Sequence, residues 1–105
     1  MDASRRRHPR ASFAGWVEIT VGGRRRLGTG CDLSAGGIGV ALRNDLPRPA
    51  AWVTSEFALP GISLPLALDG QVAWADERNG RLGIRFEAVD PGLAELLESF
   101  VGGRL

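Results

Sequence analysis

Four arginines, Arg5, Arg6, Arg7 and Arg10, crowd into one short stretch of the chain, and a second compact run, Asp32-Leu33-Ser34-Ala35-Gly36-Gly37, follows further on. A guanidinium fork donates paired hydrogen bonds to phosphate oxygens or to the O6/N7 edge of guanine, and its flat face stacks on bases. Taken alone, such a run also describes a solvated basic tail. In the second run a carboxylate can accept from the N1–H and N2–H of guanine, a hydroxyl can donate to phosphate, and glycine admits close approach of a ligand. The same Asp and Ser can instead cap the backbone of a tight turn. A third run, Arg24-Arg25-Arg26, reads as a solvated strand edge.

Catalytic chemistry is poorly supplied. The chain has one His, no Lys and no Tyr, so acid–base machinery is thin. A nucleophile elbow around Ser34 would need Gly at position 32, which is Asp32, and the pairs Gly28/Gly30 and Gly37/Gly39 lack the third glycine of a dinucleotide fingerprint, at Leu33 and Leu42. No enzyme is expected. A single Cys31 excludes an intrachain disulfide and, with His8 alone, a zinc site of the Cys/His type. Cys31 reads as a small buried hydrophobe. All 13 basic residues are Arg, yet 12 carboxylates bring the net charge to +1, which argues against bulk coating of nucleic acid.

These residues need a scaffold, and 105 residues suffice for one small domain. A hydrophobic content of 44% with 24% charged residues fits a folded globular chain, and 15 Gly with 6 Pro favour short strands and frequent turns. No apolar run reaches membrane-spanning length, so no membrane insertion is expected. The basic start lacks an apolar signal core, and a cytoplasmic protein is the expectation.

Residues 1–12 carry Arg and Pro9 and should form a flexible arm. Phe13–Val21 alternates apolar and polar positions, the period of a half-buried strand. Gly22-Gly23 should turn it into a second strand from Arg24 to Leu33. Ile38, Val40 and Leu42 mark a third strand and Trp52–Leu59 a fourth. Leu64–Ala75 is the fifth, with Leu64, Leu66, Leu68, Val72 and Trp74 on one face and Gly70 marking a bend. Asn79-Gly80 then leads to a last strand, Arg81–Glu87. Leu93, Leu96, Leu97, Phe100 and Val101 change the period to that of one helical face. Asp90 suits its N-cap, Pro91 its first turn, and the helix should run over 91–101. Six strands joined by tight turns, followed by one helix, predict an antiparallel β-barrel with a C-terminal helix.

The spacing Arg5-Arg6-x-x-x-Arg10 followed by Asp32-x-Ser34-x-x-Gly37 resembles the two-part signature of the PilZ domain family. Gly70-Gln71-Val72-Ala73-Trp74 and Leu82-Gly83-Ile84-Arg85-Phe86 resemble its last two strands, so the likeness runs from Arg5 almost to the end. The resemblance implies a six-stranded antiparallel barrel of the split-barrel type with a C-terminal helix, in agreement with the strand count. It also implies binding of cyclic di-GMP, a bacterial second messenger. By this likeness Arg6 and Arg10 hold guanine edges and phosphates, Arg5 stacks on or clamps a base, and Asp32 accepts from guanine. Ser34 and Gly37 would line the site, and Trp74 would lie against a guanine. The pattern of the strand leaves open a second reading of Trp74, that of a core residue beside Val72. Arg85 alternates with Ile84 and Phe86 and should face solvent. Arg5 ahead of the pair implies an intercalated ligand dimer, with no other cofactor.

The signature begins just after Met1, so the expectation is a stand-alone receptor that relays its signal to an unidentified downstream protein. Two alternatives remain: an adaptor of the same fold that does not bind the nucleotide, and a small barrel that binds single-stranded nucleic acid through Arg and exposed aromatics such as Trp16 and Trp52. The low net charge weighs against nucleic acid. For the leading reading, the arm lacks apolar side chains to offset the entropy of ordering, while the Asp32–Gly37 turn is anchored between strands. The ligand should therefore meet the turn first, and the arm should then close over it.

Overall fold

The computed structural model describes residues 9–103. Its strands are β1 (Ala11–Ser12), β2 (Trp16–Val21), β3 (Arg24–Ser34), β4 (Gly37–Ala41), β5 (Trp52–Phe57), β6 (Leu66–Asp76) and β7 (Arg81–Phe86), followed by helix α1 (Pro91–Val101). The alternating runs are strands because burial of every second side chain fills one interior. Val17, Ile19, Leu33, Ile38, Val40, Val53, Phe57, Leu68, Val72, Leu82 and Ile84 all lie in that core.

The antiparallel pairings run β3–β2–β5–β6–β7–β4, and β4 returns to β3. This is the closed six-stranded antiparallel barrel with one C-terminal helix that the sequence predicts. Closure leaves none of the six with an open edge along its whole length. The long strand β3 bends, pairing with β2 in its first half and β4 in its second.

Helix α1 begins where Asp90 accepts hydrogen bonds from the Gly92 and Leu93 amides, with Pro91 in the first turn. Leu97 is fully buried and Leu93, Leu96 and Phe100 pack against the core. Phe100 meets Phe13 edge to face at 6.1 Å, and Phe13 meets Phe57 in the same manner at 5.6 Å. Such pairs contribute about 0.5–1.5 kcal/mol each beyond burial.

Several details depart from the sequence reading. Ala11 and Ser12, expected in the arm, form β1 on the free edge of β3, opposite Leu33 and Asp32. Phe13 to Gly15 are not in a regular strand but continue along β3: the Phe13 amide donates to the Cys31 carbonyl at 3.2 Å and the Gly30 amide to the Gly15 carbonyl at 2.7 Å. Leu64 lies outside β6 and is 73% exposed. Cys31 is only half-buried, because it is the extra residue of a bulge.

That bulge, and a second one, set the exposure of two candidate residues. In β3 the register steps from Gly30 opposite Val40 to Asp32 opposite Gly39. Before it, even positions face inward; after it, Leu33 is the fully buried one and Asp32 turns outward. In β6 the register steps from Val72 opposite Ile84 to Trp74 opposite Gly83, leaving Ala73 unpaired. Val72 stays in the core, Ala75 packs against it, and Trp74 is 47% exposed. The core reading of Trp74 is thus corrected: one extra residue reverses the alternation, so Val72 and Trp74 do not share a face.

Candidate functional site

The candidate residues among those described gather at the outer face of β3, β4, β7 and β6. Strand β1 fixes the first of them. Its pairing places Ser12 opposite Asp32, and the next residue, Phe13, is anchored in the core at 4% exposed. Arg10, directly before β1, thereby donates from Nη1 to Asp32 Oδ1 at 3.0 Å. Each side chain of the pair remains about a third exposed. A surface ion pair of this kind contributes only about 0–1 kcal/mol to stability, so its consequence is positional: a guanidinium and a carboxylate stand side by side, open to solvent.

Ser34 and Gly37 do different work. Ser34 is 4% exposed, and its Oγ accepts from the amides of Gly36 and Gly37, both at 3.1 Å. The hydroxyl thus caps the turn from within. A Cβ on Gly37 would collide with the Ile84 carbonyl oxygen, so only glycine lets β4 lie this close to β7. The Phe86 amide, donating to Gly36 O at 2.9 Å, fastens the turn to β7. The turn is built by Ser34 and Gly37 and presents Asp32, while β1 places Arg10.

Two rows of outward positions cross the face. One runs Asp32, Gly39, Gly83, Trp74 and the other Ser34, Gly37, Arg85, Gln71, Trp52. Gly39 and Gly83 carry no side chain, so the middle of the first row is a floor of backbone alone, on which Asp32 leans from one end and Trp74 from the other. Arg85 faces solvent, as its alternation with Ile84 and Phe86 predicts, and is tied by Nη2 to Gln71 Oε1 at 3.0 Å and by Nε to Glu87 Oε2 at 3.1 Å. From the sequence alone Gly39 is part of a failed fingerprint and Gly83 a strand residue. Their signal was glycine at positions where β4 and β7 alternate outward. Arg5 and Arg6 lie outside the described residues, as do Arg7 and His8.

The sequence matches the PilZ domain over residues 4–103. The chain belongs to the PilZ domain family. No curated protein sequence matches it. Among solved structures, the Bacillus subtilis inhibitor of motility MotI/DgrA superposes with a TM-score of 0.75 at 18% identity, covering 95% of this chain and 51% of that one. The PilZ domain of Escherichia coli YcgR with c-di-GMP gives 0.74 at 21%, covering 94% and 90%. Borreliella burgdorferi PlzA in complex with c-di-GMP gives 0.71 at 17%, covering 91% and 40%. This chain therefore spans about half of MotI/DgrA and nearly all of the isolated YcgR PilZ domain. At these identities the likeness establishes the shared fold. Within this PilZ domain, the β1–β3 pairing seats Arg10 on Asp32.

No helix among the described residues is long and apolar enough to cross a membrane.

Proposed function

We propose that this PilZ domain is a receptor module for cyclic di-GMP, which it binds on the outer face of β3, β4, β7 and β6. The observation that carries the reading is the solvent-open Arg10–Asp32 pair beside a glycine floor. A guanidinium and a carboxylate at adjoining positions suit a ligand that offers both phosphate and the N1–H/N2–H edge of guanine. Two of the similar proteins, YcgR and PlzA, are described in complex with c-di-GMP. Arg10 and Asp32 contact the ligand from the barrel side, and Arg5 and Arg6 reach it from the preceding segment. Ser34 and Gly37 hold the turn that presents Asp32, and Trp74 borders a guanine. The arm that closes on the ligand ends at Arg10, because Ala11–Ser12 belongs to the sheet. The ligand enters as an intercalated dimer whose phosphate charge the arginines offset. The module acts by binding, without catalysis or a further cofactor, and the closed arm forms a surface that a downstream protein reads.

Calorimetry with cyclic di-GMP tests this, with a short single-stranded oligonucleotide titrated in parallel. The expected result is two ligands per chain and no oligonucleotide binding. Each paired guanidinium contact is worth about 1–3 kcal/mol, so Arg10→Ala or Asp32→Ala should weaken binding at least tenfold with an unchanged circular dichroism spectrum. Unaltered affinity in both variants refutes the site, and a ratio of one refutes the dimer.

A further inference from the structure

Asp32 and Trp74 lean toward each other across the glycine floor. A Cβ on Gly39 would come within 2.6 Å of Asp32 Oδ1, so that carboxylate oxygen overlies Gly39. A Cβ on Gly83 would fall on the indole of Trp74, with Nε1 as its nearest atom and Cε2 at 2.6 Å, so the N–H edge of the indole overlies Gly83. Gly39 and Gly83 are direct partners in the antiparallel β4–β7 pair. Partners of that kind have Cα atoms about 4.5–5.5 Å apart, which sets the scale of the gap between the two side chains' polar ends. One end accepts hydrogen bonds and the other donates one.

We propose that Trp74 Nε1–H and the Asp32 carboxylate together read the guanine edge, the indole donating to O6 and the carboxylate accepting from N1–H and N2–H. This rests on the cyclic di-GMP reading and adds to it a specificity role for Trp74 other than stacking, with Gly83 as a positioning residue. The order of groups on the edge matches the order of groups on the protein: acceptor O6 next to donor N1–H, opposite donor indole next to acceptor carboxylate. Adenine reverses both, presenting an amino group where guanine has O6 and a bare N1 where guanine has N1–H. It would leave both protein groups unpaired beneath the base that covers them, which disfavours adenine. The second bulge makes the arrangement: were Ala73 paired in an unbroken ladder, Trp74 would stand opposite Leu82 and face the core.

The test is calorimetry on the full chain with cyclic di-GMP, and competition of the bound ligand by cyclic di-AMP. Trp74→Phe keeps an aromatic face and removes the N–H. Gly83→Ala keeps the tryptophan but pushes the indole off the floor, since the three atoms nearest its added methyl all belong to the indole. Loss of one hydrogen bond of about 0.5–1.5 kcal/mol predicts roughly two- to thirteenfold weaker cyclic di-GMP binding for either variant, with thermal unfolding and circular dichroism near wild type. The relative excess of cyclic di-AMP needed for displacement should fall by a similar factor. Cyclic di-GMP affinity of Trp74→Phe within twofold of wild type, or an unchanged displacement ratio, including no displacement from either protein, overturns the proposal. Wild-type protein that binds no cyclic di-GMP instead overturns the receptor reading on which it stands.

Discussion

Replacing Ser34 with Ala separates shaping the turn from touching the ligand. The hydroxyl accepts two amide hydrogen bonds, from Gly36 and Gly37 at 3.1 Å each. Gly37 is buried and Gly36 half-buried. A buried donor left without a partner costs about 1–3 kcal/mol, and the half-buried one costs less because water reaches it. The sum is about 2 kcal/mol, and a domain of this size loses about 4–8 °C in Tm per kcal/mol, so Ser34→Ala should melt roughly 10 °C lower. Asp32 and Arg10 are held by β1 and the bulge as well as by the turn, so affinity for cyclic di-GMP, measured well below Tm, should fall less than threefold. Asp32→Ala should show the opposite pattern. Its exposed ion pair is worth about 0–1 kcal/mol to the fold, so Tm should move little while affinity drops at least tenfold. The measurements are thermal unfolding by circular dichroism and calorimetric titration of each variant. An unchanged Tm in Ser34→Ala with a tenfold loss of affinity would refute the reasoning and make the hydroxyl a ligand contact.

Phe13→Ala should destabilise the domain by about 3–5 kcal/mol in urea unfolding, since the ring fills the space above Gly30 and packs against Phe57 and Phe100; a loss below 1 kcal/mol would show that Phe13 does not anchor the start of the sheet. Amide exchange at Ala11–Phe13 should slow on addition of cyclic di-GMP while Val17–Val21 barely changes, and equal slowing of both would point to general stabilisation rather than local closure. The Asn79 side chain and amide donate to the Asp76 carboxyl and hold its pKa below the ordinary 3.8. A lowered value stabilises the fold above the ordinary pKa, and the gain is lost as pH falls through the lowered one. Wild type should therefore exceed Asn79→Ala in stability at pH 5, and that margin should shrink toward pH 2; a margin independent of pH would contradict the assignment.

Local chemistry was legible along the chain. Period-two runs mark strands wherever one face is buried, and Gly22-Gly23 and Asn79-Gly80 mark hairpins because those backbones favour glycine at positive φ. Asp90-Pro91 before a helical apolar stripe marks α1 because capping is settled within one turn of chain. The signature residues could be picked out by type and spacing for the same reason. Their arrangement could not. That Arg10 lies against Asp32 depends on a two-residue strand pairing with β3, a contact between segments far apart in sequence. That Asp32 and Trp74 face outward depends on bulges at Cys31 and Ala73, each defined by the register of the neighbouring strand. A single added residue exchanges the two faces of a strand, and nothing in the run Val72-Ala73-Trp74 announces it. Gly39 and Gly83 become one floor only when β4 and β7 pair. Residue types and local periods are properties of the chain alone, whereas register is set where strands meet in closing the barrel, and it is register that decides which side chains face one another across the site.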